Sequence, residues 1–471
     1  YSIRKMTNII ILIFVVGYLC ITIENFTKVN KSAIALFMGI ICWAIYMMGH
    51  PEQSAEDVFL PHVGDACETI LFLMGAMAIV EIVDSNGGFN FVTRYLHTTN
   101  ARILLWEIVG ITFVLSTLLD NMTTSIVMVM ALKKLVADKS QRLLYASMII
   151  LAANSGGTFS PIGDVTTIML WIEGCVSTTG IIGNLFLPSI ASVMVPTAII
   201  SMKMKGEVET AETSESKPDK QVQLEQSFFP RATRLAIFLI GVGGLILVPL
   251  FRSVTGLPPF AGIMALLSIL WIFTEVALRR NKRLLSLETK VRVSSILHKI
   301  DLSTILFFLG ILFAVGALGE TGTLAQVGEW LNRTFHGNAY AANGIIGILS
   351  SIVDNVPLVA SAMGMYSIEP DTTTGIMENF VQDGNFWNLL AYCAGTGGSM
   401  LIIGSAAGVI VMGLEQVNFV WYFRNISWLA LLGYVAGIAV YWLQNASFTD
   451  LVTADTANML FSELFPMIAA H

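Results

Sequence analysis

Leu115-Ser-Thr-Leu-Leu-Asp-Asn-Met-Thr-Thr124 sets hydroxyls, an amide and a carboxylate inside a long apolar segment. The pattern returns 234 residues later as Leu349-Ser-Ser-Ile-Val-Asp-Asn-Val-Pro357, so Asp120 and Asn121 correspond to Asp354 and Asn355. Two further blocks keep nearly the same spacing. Leu73-Met-Gly-Ala76 matches Phe308-Leu-Gly-Ile311 at an offset of 235, and Asn154-Ser-Gly-Gly157 matches Gly395-Thr-Gly-Gly398 at 241. Three collinear blocks mark an internal repeat.

The medium around these polar tips follows from composition. Of 471 residues, 55% are hydrophobic and 13% charged, against roughly 25% charged in a soluble domain. Most of the surface is therefore solvated by lipid, and nothing in the charge pattern suits a nucleic acid. The expected fold class is an all-α polytopic membrane protein: an inverted repeat of about five spans each, two re-entrant helical hairpins and two broken helices.

The first tip lies between two short apolar arms, Ile108–Leu119 and Thr123–Leu132, the second between Asn343–Val353 and Val356–Met365. A hydrocarbon core of about 30 Å needs about 20 helical residues, so each pair of arms reads as a hairpin entering and leaving on one side. Irregular backbone at that depth is tolerated only inside protein or beside water. Leu143–Trp171 is interrupted at Asn154–Pro161, and Phe386–Gly413 at Gly395–Ser399. Ile9–Ile23, Ala33–Met48, Ile70–Val83, Ile181–Ser201, Leu235–Phe251, Phe260–Leu278, Leu302–Leu318 and Ile426–Leu443 read as unbroken spans, with His50–Glu68 as a polar connection.

Loop charges orient the halves. Arg94, Arg102, Lys133, Lys134, Lys139 and Arg142 flank the first hairpin, whereas Glu369, Asp371, Glu378 and Asp383 follow the second. Basic flanks face the cytoplasm, so the hairpins enter from opposite sides. Arg279–Lys299, with seven bases and one acid, reads as cytoplasmic or as an amphipathic helix on the inner surface. Ten crossings then put both termini outside. The expected organisation is 1–201, first repeat with the cytoplasm-entering hairpin 103–136; 202–234, polar cytoplasmic linker; 235–443, second, inverted repeat with the outside-entering hairpin 341–366; and 444–471, tail. Inverted repeats with interrupted helices are characteristic of secondary transporters, with sites at mid-membrane.

The tip, together with Ala153-Asn-Ser-Gly-Gly-Thr-Phe-Ser-Pro-Ile-Gly-Asp-Val-Thr-Thr-Ile-Met-Leu-Trp171, resembles the NhaD-type sodium/proton antiporters. The wider superfamily includes arsenite, citrate and dicarboxylate transporters. The resemblance implies exchange of Na+, with Li+ as a second substrate, for H+, without a cofactor. It further implies a homodimer in a bacterial inner membrane. By motif position it assigns transport to Asp120, Asn121, Thr123, Asn154, Ser155, Asp164, Thr166 and Thr167 in the first half. In the second half it assigns Ser350, Asp354, Asn355, Thr396 and Ser399, with Na+ at Asp120, Asn154, Asp354 and Asn355. The second half departs from the first, with Gly395 opposite Asn154 and Ser405 opposite Asp164. The halves are not expected to do the same job.

The chemistry expected of these residues is competition. A carboxyl group in water has a pKa near 3.9, and burial raises it; such a group can hold a proton and release it to a sodium ion ligated by hard oxygens. The structural reading of the same aspartates is that they cap helices, which Asp and Asn do well, although an intramembrane charge costs about 2.5–3.5 kcal/mol that an uncharged cap would avoid. Glu81, at the end of the third span, is a candidate proton relay. Two other functions compete: a coupled anion transporter on the same fold, and an intramembrane aspartyl protease, for which Ile162-Gly163-Asp164 is a fragment of signature. No deep Arg or Lys favours an anion, and a protease leaves the second hairpin unexplained. The five cysteines lack metal-ligand spacing and read as small hydrophobes, a Cys67–Cys175 disulfide near the outer surface being the less favoured reading, and the six histidines do not cluster. A chain opening on Tyr1 reads as trimmed.

Overall fold

A computed structural model describes residues 2–22, 29–88, 96, 98–204, 206–208, 229–280, 293–298 and 300–445. Most of the linker 202–234, of Arg279–Lys299 and of the tail 444–471 lies outside these residues, as does Arg94. Among the described residues the named elements are all helical.

The chain forms two compact units, each drawing on both halves of the sequence: residues 1–99, 133–138 and 208–314, and residues 100–132, 139–207 and 315–471. The first unit contains α1 (Ser2–Thr22), α2 (Lys31–Gly49) and α3 (Ala55–Ser85). α4 (Ala101–Leu118), α5 (Asn121–Leu135), α6 (Lys139–Thr158), α7 (Val165–Ile172) and α8 (Thr178–Lys203) follow, almost wholly in the second unit. α9 (Arg231–Thr255) and α10 (Pro259–Arg280) return to the first, packing on each other and on α3. α11 (Leu302–Glu320) then leads to α12 (Thr323–Phe335), α13 (Ala339–Ser350), α14 (Asn355–Met363), α15 (Asn385–Gly397) and α16 (Ala406–Glu415). The last helical stretch is α17 (Phe419–Tyr422), a π-turn over Phe423–Ser427, and α18 (Trp428–Asn445).

Nine described helices are long and apolar enough to span a membrane. One is α4, expected from the sequence to be the first arm of a hairpin; the other eight match the unbroken spans expected from the sequence.

Several boundaries differ from the sequence reading, and local chemistry accounts for them. The polar connection His50–Glu68 is helical from Ala55 onward and belongs to α3, whose 31 residues run through Pro61. Ser54 caps it by accepting from Asp57 N, with Glu56 and Asp57 in the first turn, a start that needs no apolar residue. The first hairpin arm begins at Ala101, where Asn100 accepts from the N–H groups of Arg102 and Ile103. Its 18 residues give about 27 Å at 1.5 Å per residue, longer than the charge-free run suggests. The breaks lie further along than the glycine clusters indicate. α6 continues to Thr158 and α15 to Gly397, so Asn154 and Thr396 are still helical, and the interruptions are 159–164 and 398–405. α12, amphipathic rather than apolar, had no counterpart in the sequence reading.

Glycines set the closest helix contacts in the second unit. A Cβ on Gly156 would lie 2.3 Å from Phe113 O, and one on Gly397 2.1 Å from Gly347 O. Only hydrogen fits there. The two contacts pair α4 with α6 and α13 with α15, at the same offsets that relate the sequence blocks.

Candidate functional site

Each Asp-Asn pair lies at the break between two helices, α4 and α5 for the first and α13 and α14 for the second. Asp120 caps α5: Oδ1 accepts from Thr123 N at 2.8 Å and Oδ2 from Thr123 Oγ1 at 2.6 Å. Asp354 caps α14, accepting from Val356 N at 3.4 Å. Both aspartates are half-buried, whereas the asparagines that follow them are 4% and 3% exposed. The tip carboxylates thus serve their own helix starts, and the amides turn inward.

The amides converge on Asp164. This carboxylate, 2% exposed, caps α7 in a capping box with Thr167. Its Oδ1 accepts from Val165 N at 2.8 Å and from Asn121 Nδ2 at 3.2 Å. Oδ2 accepts from Thr166 Oγ1 at 2.9 Å and from Asn355 Nδ2 at 3.0 Å. Four donors and the N-terminal end of a helix dipole offset the desolvation of one charge. Asp354 and Asp120 add like charge through space, so the centre is electronegative.

Asn154, fully buried, joins the same network. Its Oδ1 accepts from Asn121 Nδ2 at 3.1 Å, and its Nδ2 lies 2.9 Å from both Ser399 Oγ and Ser405 Oγ. Both Asp-Asn tips and both broken helices therefore contribute a side chain to one cluster. Its oxygen-bearing groups are a carboxylate, three amides and three hydroxyls, ligand types that a small hard cation prefers. Among the described residues no group of three or more His, Cys, Asp or Glu could hold a metal ion.

The supporting contacts are duplicated, but the polar side chains of the cluster are not. Ser116 Oγ donates to Ala153 O at 2.6 Å, and Ser350 Oγ donates to Ala394 O at 2.7 Å. Gly157 and Gly398 each lie against the carbonyl of a glycine at the far side of their own break, Gly163 and Gly404. At Gly395, opposite Asn154 in the repeat, a Cβ would lie 2.2 Å from Thr158 Cγ2 and 3.6 Å from Asp164 Oδ2. There is no room for a second asparagine.

Other expected residues lie outside this cluster. Ser155 Oγ accepts from Ser192 Oγ at 2.8 Å, and Thr396 Oγ1 bonds to Tyr392 O within its own helix. Thr123 and Thr167 act on caps. Glu81 belongs to the other unit, where Ser85 Oγ donates to it at 2.8 Å. The five cysteines are free thiols. Cys175 is buried, its thiol pushed up to about 12 by desolvation and by the Glu173 carboxylate.

Two ties at the ends of the broken helices had no signal in the sequence reading. Arg142 Nε, in the first turn of α6, contacts buried Glu415 at the end of α16 at 2.7 Å. Asp383, before α15, accepts from Ser177 N at 2.7 Å just beyond α7. Arg142 and Asp383 stand 241 residues apart, the offset that relates the two breaks. Each broken helix is tied at its start to the trailing end of the other.

A family profile described as citrate transporter matches residues 11–380. Sodium/proton antiporter 1 of Arabidopsis thaliana is 43% identical over 432 residues, 91% of this chain and 71% of its own. Sodium/proton antiporter 2 of the same plant is 41% identical over 91% of this chain and 98% of its own. The Na(+)/H(+) antiporter NhaD of Vibrio cholerae is 30% identical over 93% and 92%.

Proposed function

The chain belongs to the NhaD-type sodium/proton antiporters of the ion transporter superfamily, and from that premise we propose that it exchanges Na+ for H+ at the Asp164 cluster by alternating access. It is a multi-pass membrane transporter, not an enzyme.

One observation carries the reading: a single buried carboxylate receives an amide from each hairpin. A fully desolvated carboxylate is costly without a counter-charge. A proton or a sodium ion supplies one, and each excludes the other. With the proton bound, the amide and hydroxyl donors relax. With Na+ bound, Asn154, Asn121 and Asn355 turn their carbonyl oxygens to the ion, and Ser399 and Ser405 add hydroxyl oxygens. Asp120 and Asp354 raise the local negative potential without ligating through their capped oxygens. Li+, smaller and harder, suits the same oxygen ligands.

The duplicated hairpin contacts support two inverted halves that exchange conformations around the site, each hairpin re-entrant from its own side. Relatives come from plants and bacteria, so the bacterial inner membrane is one setting for this exchange. The homodimer rests on the superfamily resemblance.

Purified chain in proteoliposomes tests the reading. Proton movement on addition of Na+ or Li+, and not of K+, arsenite or citrate, is the expected result. A response confined to citrate or arsenite would retain the fold and the superfamily and overturn the sodium/proton exchange.

A further inference from the structure

The second unit holds another concave site, which shares no lining residue with the Asp164 cluster. Around the end of α8 a cavity of about 370 Å³ is lined by Gln141, Leu144, Ile200, Lys203, Asn425 and Leu429, among others. Among the described residues no acid lines it. Its charge comes from Lys203, the last residue of α8, whose ammonium lies 5.4 Å from the centroid of the Trp428 ring. Asn425 sits in the π-turn before α18, a distortion that recurs at functional positions.

Two part-exposed tryptophans lie near this cavity. Trp106 Nε1 donates to Ser201 Oγ at 3.2 Å, and Trp106 and Trp428 remain 37% and 42% exposed. Tryptophans with one wet end concentrate at the headgroup level of a bilayer. Beside them Met202, Leu431 and Leu432 are exposed, a surface for acyl chains rather than water. Arg102 Nε donates to Met204 O at 2.7 Å, placing a second base at this end.

We propose that the cavity takes the head of an anionic glycerophospholipid. Its phosphate sits on Lys203 between the polar groups of Gln141 and Asn425, and its glycerol and upper acyl carbons lie against Leu144, Ile200 and Leu429. Soluble phosphate would leave those apolar walls uncovered. The bound lipid bridges α6, α8 and the π-turn.

Native mass spectrometry of the purified chain in micelles containing equal phosphatidylglycerol and phosphatidylcholine tests this without any transport reading. The wild type is expected to retain phosphatidylglycerol preferentially. Lys203→Ala lowers that retention about fivefold, the effect of one base near an anionic headgroup. Asn425→Trp fills the mouth without changing charge and lowers it too, which keeps the test decisive if Lys203→Ala fails to fold. Arg333→Ala, an exposed base on α12, changes nothing. Equal retention of both lipids by the wild type, or unchanged retention in both cavity variants, overturns the proposal. Displacement of the lipid by millimolar inorganic phosphate also overturns it, assigning the cavity to a soluble anion.

Discussion

Asn355 Nδ2 lies 3.0 Å from Asp164 Oδ2, so the second hairpin closes on a carboxylate of the first broken helix across 191 positions of chain. Asn121 makes the matching approach to Oδ1. Neutralising that carboxylate should therefore remove the one charge to which both hairpins respond.

Asp164→Asn is expected to abolish Na+-driven proton movement in proteoliposomes. Asparagine keeps the cap but turns an NH2 group toward donors that Asp164 now accepts from, so the folded variant should lose about 1–3 kcal/mol of stability. Exchange at the wild-type rate by a folded Asp164→Asn protein would exclude Asp164 as the competing group.

The tip aspartates separate into cap and charge. Asp120→Ala and Asp354→Ala should each cost about 1 kcal/mol through the lost cap, and the Asn variants close to nothing. Under the electrostatic role proposed above, the Asn variants still exchange, with a raised apparent KM for Na+. A flux assay across sodium concentrations, run beside thermal melts, distinguishes the two effects.

Close backbone approach sets the cost of alanine at glycine. Gly156→Ala and Gly397→Ala place a methyl group against a fixed carbonyl and should destabilise by about 1–3 kcal/mol. At Gly110 nothing lies within 4 Å of the position a methyl group would take, so alanine should be accepted there with no loss. Melting temperatures in detergent report the difference.

Removing one partner of the Arg142–Glu415 pair leaves a charge in a site where Glu415 is 2% exposed. Arg142→Ala is expected to cost about 3 kcal/mol, and the double variant Arg142→Leu with Glu415→Leu should recover most of it. A double-mutant cycle in denaturant measures the coupling; additive losses would mean that the pair contributes nothing.

Cys175 should resist maleimide at pH 8, where burial keeps the thiol protonated, its value being raised to about 12. The thiolate is the nucleophile, so labelling should rise only as the pH approaches that value. Exposed Cys67 should label first. Mass spectrometry after timed labelling reads both sites, and rapid modification of Cys175 at pH 8 in the folded protein would contradict its burial.

Much of this architecture was legible because its signals are local. Apolar runs report spans, and a polar Asp-Asn pair inside one reports a break between two helices. Helix starts made of polar residues were missed for the same reason: Ser54 with Glu56 and Asp57 opens α3 through capping, which hydropathy does not register.

The sequence alone determined the membrane class, the paired tips and the set of polar residues from which the site is drawn, since hydrophobicity and repeat spacing belong to neighbouring residues. Tertiary structure decided which members of that set meet. It put Asp164 rather than Asp120 or Asp354 at the meeting point, excluded a side chain at Gly395 by contact with Thr158, and joined Arg142 to Glu415. The physical reason is that a buried charge is satisfied by whichever donors the packed helices bring within hydrogen-bond distance, and that distance is unrelated to separation along the chain.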